Sequence, residues 1–245
     1  MPNYKLTLCY EGTRYRGWQR QGNTPDTIQA KLEGVLSRIL EQPVELAASG
    51  RTDAGVHARM QVCSFRAETP LRCEEILTEL RARLPEDIGA VSLEPAPPRF
   101  HARLSCVEKS YLYRIWNRAE PNVFTSRFQA RVPRPLDTQA MERAAALLLG
   151  EHDFAAFSSV KNGKKSTLRR ISTVTITREG QELRLLFTGN GFLYNMVRIL
   201  TGTLLQVGEG LLRPEEISRI LLSRDRSQAG PAAPACGLSL WEVKY

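Results

Sequence analysis

The chain has 245 residues, a hydrophobic fraction of 42% and a charged fraction of 24%. These are values of an ordinary globular protein, long enough for one large domain or two smaller ones, and they exclude collagen-like and disordered chains. No run approaches 18 apolar residues, which excludes a helical membrane span. The formal net charge is +8, and only seven of the 34 basic residues are lysines. Guanidinium groups bind phosphate bidentately and stack on bases, so the arginine excess suits a nucleic-acid partner, as it equally suits a GC-rich coding sequence.

Lys5 to Glu11 alternates as a strand, with Leu6, Leu8 and Tyr10 on one face. A polar loop follows to Pro25, and Ile28, Leu32, Val35, Leu36 and Ile39 then recur at helical spacing, with Thr24 or Asp26 as candidate N-cap. Val44 to Ser49 and Met60 to Arg66 read as strands. Ile76, Leu77, Leu80 and Leu84 mark a second helix ending before Pro85, and Val91 to Glu94 a short strand. The second half repeats this order. Arg103 to Val107 and Ser110 to Asn117 read as strands, and Thr138 to Leu149 as a helix capped by Asp137 and stopped by Gly150. Arg169 to Thr177 and Glu182 to Thr188 read as a hairpin, and Leu193 to Val207 as a helix whose Gly202 marks close packing. Pro214 to Leu222 is a helix, Arg224 to Ala235 a loop expected to be mobile, and Leu238 to Lys244 a last strand. Each half approximates β-α-β-β-α-β, a ferredoxin-like unit. The fold class expected is therefore α+β, with two such units, residues 1–100 and 101–245, whose antiparallel sheets lie side by side around a cleft.

The five cysteines are scattered with no C-x-x-C, and His57, His101 and His152 are far apart, so no metal site is expected. G-x-x-x-x-G-K-S/T and G-x-G-x-x-G are absent, which argues against ATPases, kinases and most nicotinamide enzymes. The segment richest in chemistry is Ala48 to Met60, ASGRTDAGVHARM. Gly50 and Gly55 bracket Arg51, Thr52 and Asp53 between two strands, where glycines let a substrate backbone approach and a loop presents a carboxylate. An Asx-turn has the same composition.

The string GRTDAGVHA closely resembles the catalytic motif of the TruA family of tRNA pseudouridine synthases. Four further stretches carry the resemblance in order along the chain: Tyr10 to Gln21 (YEGTRYRGWQRQ), Phe100 to Arg103 with Lys109 to Tyr113 (FHAR and KSYLY), Phe192 to Arg198 (FLYNMVR), and Gly237 to Tyr245. Departures are Arg81, ahead of Leu84-Pro85-Glu86-Asp87-Ile88 where many relatives carry Asn, and Ser239 where Tyr is common; the segment Ser166 to Arg169 lacks a frequent proline.

The resemblance implies a reaction in which the uridine N-glycosidic bond is cut, the uracil turned over and the ring rejoined through carbon. As an isomerisation it calls for no redox cofactor, nucleotide or metal. The resemblance assigns Asp53 as the carboxylate at the ribose, nucleophile or base, Arg198 as its cationic partner, and Tyr111 as the aromatic against the flipped base, with Tyr113 left to the core. Arg51, Arg14, Arg16 and Arg20 (interleaved with Tyr15 and Trp18), and Lys164, Lys165 and Arg169 in the basic stretch Lys161 to Arg170 are candidate tRNA contacts. A homodimer in the cytoplasm acting on uridines 38 to 40 of the tRNA anticodon stem-loop is implied as well. A non-catalytic RNA-binding protein on the same fold and an Asp-dependent phosphoryl-transfer enzyme are the alternatives; the latter normally wants a second carboxylate and Mg²⁺, and no D-x-D surrounds Asp53.

Overall fold

A computed structural model describes residues 1–159 and 166–245. The chain divides into two compact units, residues 1–107 with 240–245, and residues 108–239. Strands and helices are mixed in both, as expected of an α+β protein.

The first unit runs β1 (Asn3–Tyr10), α1 (Ile28–Ile39), β2 (Ala47–Ala48), β3 (His57–Arg66), α2 (Cys73–Arg83) and β4 (Ile88–Ala96), and takes in most of β10 (Leu238–Lys244). Its strand order is β4-β1-β3, antiparallel throughout, with β2 and β10 both paired to β3. The order β4-β1-β3-β2 is that of a ferredoxin-like unit. Leu6 and Leu8 of β1 are fully buried, as are Leu32 and Leu36 of α1 and Ile76 and Leu80 of α2, so the apolar stripe of each helix is spent on this core. The N-cap of α1 is Thr27, whose hydroxyl accepts from Ala30 N at 3.3 Å; Thr24 and Asp26 lie three residues and one residue too early. The strand expected at Val44 to Ser49 shortens to two residues, and Arg103 to Val107 is a turn rather than a strand. The reason for the second is local. His101 Nδ1 accepts from Arg103 N and Leu104 N, and Ser105 N donates to His101 O, so the side chain outcompetes a ladder. Arg81, the departure from the family pattern, donates to Ala90 O at 2.9 Å and Val91 O at 2.8 Å, clamping α2 to β4.

The second unit runs β5 (Glu108–Trp116), β6 (Ala130–Arg131), α3 (Thr138–Ala146), β7 (Gly150–Asp153), β8 (Leu168–Glu179), β9 (Glu182–Gly189), α4 (Met196–Gly208) and α5 (Glu216–Ser223). Strand order is β5-β9-β8-β7, antiparallel, with β6 parallel to β5. In the β8–β9 hairpin Glu179 faces Glu182, and Gly180 supplies φ +59 at the first of two turn residues. Asp137 caps α3 through Ala140 N at 3.0 Å. Phe154, Phe157 and Phe187 are fully buried with Ile199, Leu200 and Leu204 of α4. At the start of β9, Glu182 accepts from Arg114 Nε and Arg184 Nε, both at 2.7 Å, and from Gln129 Nε2.

The segment expected to be mobile is strapped to α4. Gly230 N donates to Thr203 Oγ1 at 3.0 Å, and Ala233 N to Arg198 O at 2.9 Å. A Cβ on Gly202 would lie 1.8 Å from Pro231 O, so the helix tolerates no side chain there. No helix among the described residues is long and apolar enough to cross a membrane.

Two predictions follow from these contacts. Gly202→Ala should cost about 2 kcal/mol or more, because the strap must move off the helix. Gly34→Ala in α1, where a Cβ meets nothing within 4 Å, should instead gain about 0.5–1 kcal/mol; urea midpoints of the two variants measure both. The second concerns acid. The Arg114 guanidinium, with Arg184, holds the Glu182 carboxyl at about 2, against 4.5 ordinarily. A depressed carboxylate stabilises the fold above its unfolded pKa and loses that contribution as pH falls towards its folded one. The stability gap between wild type and Glu182→Gln should therefore narrow by about 2 kcal/mol between pH 6 and pH 3.

Candidate active site

Asp53 sits in the loop joining β2 to β3, half-buried, with Thr52 buried on one side and Ala54 exposed on the other. The loop is a tight turn: Val56 N donates to Asp53 O at 3.1 Å, and Gly55 has φ +76. The N-terminal stretch after β1 lies directly on it, backbone to backbone. Trp18 N donates to Thr52 O at 3.0 Å and Gly55 N to Tyr15 O at 3.3 Å. A Cβ on Gly12 would lie 2.0 Å from Val56 O, and one on Gly17, whose φ is +94, 2.8 Å from Thr52 O. Gly12 N also donates to His57 Nδ1 at 2.9 Å, which fixes that buried ring nitrogen as unprotonated. The two motif strings of the N-terminal half, YEGTRYRGW and GRTDAGVH, are thus two sides of one contact.

The aromatic residues of that stretch do not face solvent. Tyr15 and Trp18 are buried, Trp18 to 1% exposure. Tyr15 Oη donates to Asp87 Oδ1 at 2.5 Å, and Tyr10 and Trp18 pack ring to ring at 6.1 Å. The arginines between them point outwards with different commitments. Arg14 pairs with Asp87 at 3.3 Å, and Arg20 with Glu33 at 2.9 Å, while Arg16 and Arg51 are exposed. Glu33 is buried on α1 and also takes Leu46 N and Gln29 Nε2. Arg20 therefore serves to neutralise a buried carboxylate.

Tyr111 and Arg198 belong to the second unit. Tyr111, Tyr113 and Ile115 share the buried face of β5. Tyr113 is fully buried, and its hydroxyl donates to Pro234 O at 2.8 Å, which is the core role expected of it. Tyr111 is 8% exposed and meets the edge of Phe192 at 5.2 Å between ring centres. Phe192 belongs to the loop that leads into α4, where Asn195 takes φ +59 at the N-cap. Arg198, in the first turn, donates from Nε to Ala233 O at 2.7 Å and from Nη1 to Asn195 Oδ1 at 3.0 Å. Two of its three guanidinium nitrogens hold the plane of the group. Arg169 is half-buried, its Nη1 donating to Ser166 O at 3.0 Å; Lys164 and Lys165 lie outside the described residues.

Residues that pattern reading passed over are Tyr10, Gln61 and Ser49, the buried polar groups beneath the Asp53 loop, and Asp87, which holds Tyr15. The available signal was Gln61, a polar residue at a buried position of an otherwise apolar strand segment.

This sequence matches the family described as tRNA pseudouridine synthase over residues 8–104 and 144–245. It is 44% identical to tRNA pseudouridine synthase A of Pelobacter propionicus and 43% identical to that of Bacillus sp. KSM-64, each over 100% of both chains. It is 42% identical to tRNA pseudouridine synthase A 2 of Bacillus cereus, again over 100% of both. A solved Cbf5-Nop10-Gar1 complex contains a chain 12% identical, with a TM-score of 0.39 over 83% of this chain and 45% of that one, a likeness too loose to bear on function. The chain belongs to the tRNA pseudouridine synthase family, and is thereby an enzyme of the isomerase class.

Gly12→Ala should displace the Asp53 loop and lower the rate of uridine isomerisation about 100-fold, since reacting groups tolerate shifts well under 1 Å. Gly22→Ala, where a Cβ meets nothing within 4 Å, should leave the rate as it is. Single-turnover assays on tRNA compare the two.

Proposed function

We propose that the protein converts uridine to pseudouridine in the anticodon stem-loop of tRNA, at positions 38, 39 and 40, in the cytoplasm and as a homodimer. The observation that carries this reading is the Asp53 loop: a half-buried carboxylate on a turn whose backbone is gripped from both sides, within a full-length likeness to tRNA pseudouridine synthases.

The chemistry divides among three side chains. Asp53 acts at the ribose as the C1′–N1 bond of uridine breaks, as nucleophile or as base. The freed uracil turns over, C5 bonds to C1′, the C5 proton leaves, and N1, which gave up its bond to C1′, takes up a proton. Substrate and product have the same atoms, so the balance needs no co-substrate. Arg198, its guanidinium plane held by Ala233 and Asn195, keeps the Asp53 carboxylate ionised. Tyr111 lies against the extruded base, offsetting about 1–3 kcal/mol of the cost of unstacking, and its hydroxyl takes the C5 proton. Exposed Arg16 and Arg51, together with Arg14, Lys164, Lys165 and Arg169, hold phosphate. Arg20, tied to Glu33, contributes its outer edge only.

Asp53→Asn should bind tRNA with wild-type affinity while pseudouridine formation falls by about 10³-fold or more. Normal product from that variant would remove Asp53 from the chemistry. Binding with no release of C5 hydrogen from the intact protein would leave a non-catalytic RNA-binding protein. Removing Arg16 or Arg51 should flatten the plot of log affinity against log salt by about 0.7 each for unpaired RNA, and a sedimenting mass of twice 27.6 kDa supports the dimer.

A further inference from the structure

Gln61 lies within β3 and is 0% exposed. A strand packed on both faces asks for an apolar residue at such a place, because a buried amide is costly unless each of its groups is bonded. Here both ends are bonded. Oε1 accepts from the Ser49 hydroxyl at 2.8 Å and from Val62 N at 3.2 Å. Nε2 donates to Gly50 O at 2.9 Å and to Tyr10 Oη at 3.4 Å. Tyr10 Oη in turn lies 2.8 Å from Thr52 Oγ1. Burial pushes the Tyr10 phenol well above its ordinary pKa, so it stays neutral; it accepts from the amide and shares a hydrogen bond with the threonine hydroxyl in which either group can donate. Bonds in such a chain polarise one another.

The partners of this one amide are not scattered. Ser49, Gly50 and, through Tyr10, Thr52 are three of the four residues immediately before Asp53. The far side of the same turn is fixed separately, by Gly12, Tyr15 and Trp18 against Val56, Gly55 and Thr52. Resting on the reading of Asp53 as the reacting carboxylate, we propose that Gln61 is a positioning residue for the isomerisation. Through Gly50 directly, and through Tyr10 and Thr52, it sets the approach of Asp53 to the ribose. It touches no substrate; its contribution is the fixed geometry of a carboxylate three residues beyond its bond to Gly50.

The test is single-turnover pseudouridine formation with enzyme in excess over tRNA, reading rate constant and amplitude separately, with tRNA affinity measured alongside. Gln61→Met breaks the network at its centre. Tyr10→Phe and Thr52→Val each delete one hydroxyl and keep the proposal open to refutation if the first variant fails to fold. The expected result is a rate constant lowered about 10- to 100-fold in Tyr10→Phe and Thr52→Val, with amplitude and affinity unchanged, and restoration in Thr52→Ser, which keeps the hydroxyl. A purely structural network would lower the amplitude, since only folded molecules react, and leave the rate constant alone; that result, or wild-type rates throughout, overturns the proposal. Asp53→Asn in the same assay separates the two readings. If it is inactive while Tyr10→Phe keeps the wild-type rate, Asp53 stands and Gln61's role falls. If Asp53→Asn turns over normally, the reading beneath the proposal falls.

Discussion

The Val56 carbonyl comes so close to Gly12 that a methyl group there would sit 2.0 Å from its oxygen, and much of the first unit follows from that contact. A loop that presents a carboxylate at a fixed place has to be rigid, yet a loop has no ladder of its own to make it so. The chain solves this by laying a second loop on the first. Thr52, Gly55 and Val56 meet Trp18, Tyr15 and Gly12 through main-chain atoms, some 40 residues away in sequence. Main-chain contact at this distance excludes side chains, which is why glycine stands at 12 and 17. It also dictates the rest of the N-terminal stretch: Tyr15 and Trp18 must turn inwards to cover the joint, and Tyr15 is secured in turn by Asp87.

The positive charge of the chain separates into unlike populations once the arginines are placed. Arg81 ties α2 to β4 through two carbonyls, Arg114 and Arg184 converge on Glu182, and Arg20 answers a buried glutamate. These serve the fold, and their charge is largely neutralised or spent on backbone. Arg16 and Arg51 flank the Asp53 loop in solvent. An arginine count therefore overstates the surface offered to a polyanion, and the location of the exposed residues says more than the net value.

Amphipathic periodicity located α1 and α3 and the β8–β9 hairpin because their signals are local: an apolar stripe, a cap such as Asp137, a glycine at the turn. It misled at Arg103 to Val107, where alternation resembles a strand but His101 and Ser105 close a turn with their own side chains. Arg224 to Ala235 is the loop its small residues suggest. In the fold, smallness is what lets this segment lie on α4. The site residues Asp53, Tyr111 and Arg198 came from motif resemblance, since a single loop carboxylate has no periodic signature. The network around the Asp53 loop was out of reach for a different reason: Gln61, Tyr10 and Ser49 are 12 to 51 positions apart, and only the pairing of β1 and of β2 with β3 makes them neighbours.

The two units arrive at the same device by different routes. In the second, Arg198 donates to Ala233 O while Ala233 N donates to Arg198 O, a reciprocal pair that fixes both the strap and the guanidinium. That pair forms only because Gly202 lets Pro231 O settle onto the helix one turn further along and Gly230 reaches Thr203. The charged group is thus held by a backbone contact that a single methyl would break, as Asp53 is held by the contact at Gly12. A site assembled from side chains alone would carry their rotamer freedom into the reaction. Fixing each charged side chain to main chain that has already given up its freedom on folding removes that cost in advance. On this argument the glycines at 12, 17 and 202 fix the placement of Asp53 and Arg198 as firmly as any side-chain bond does.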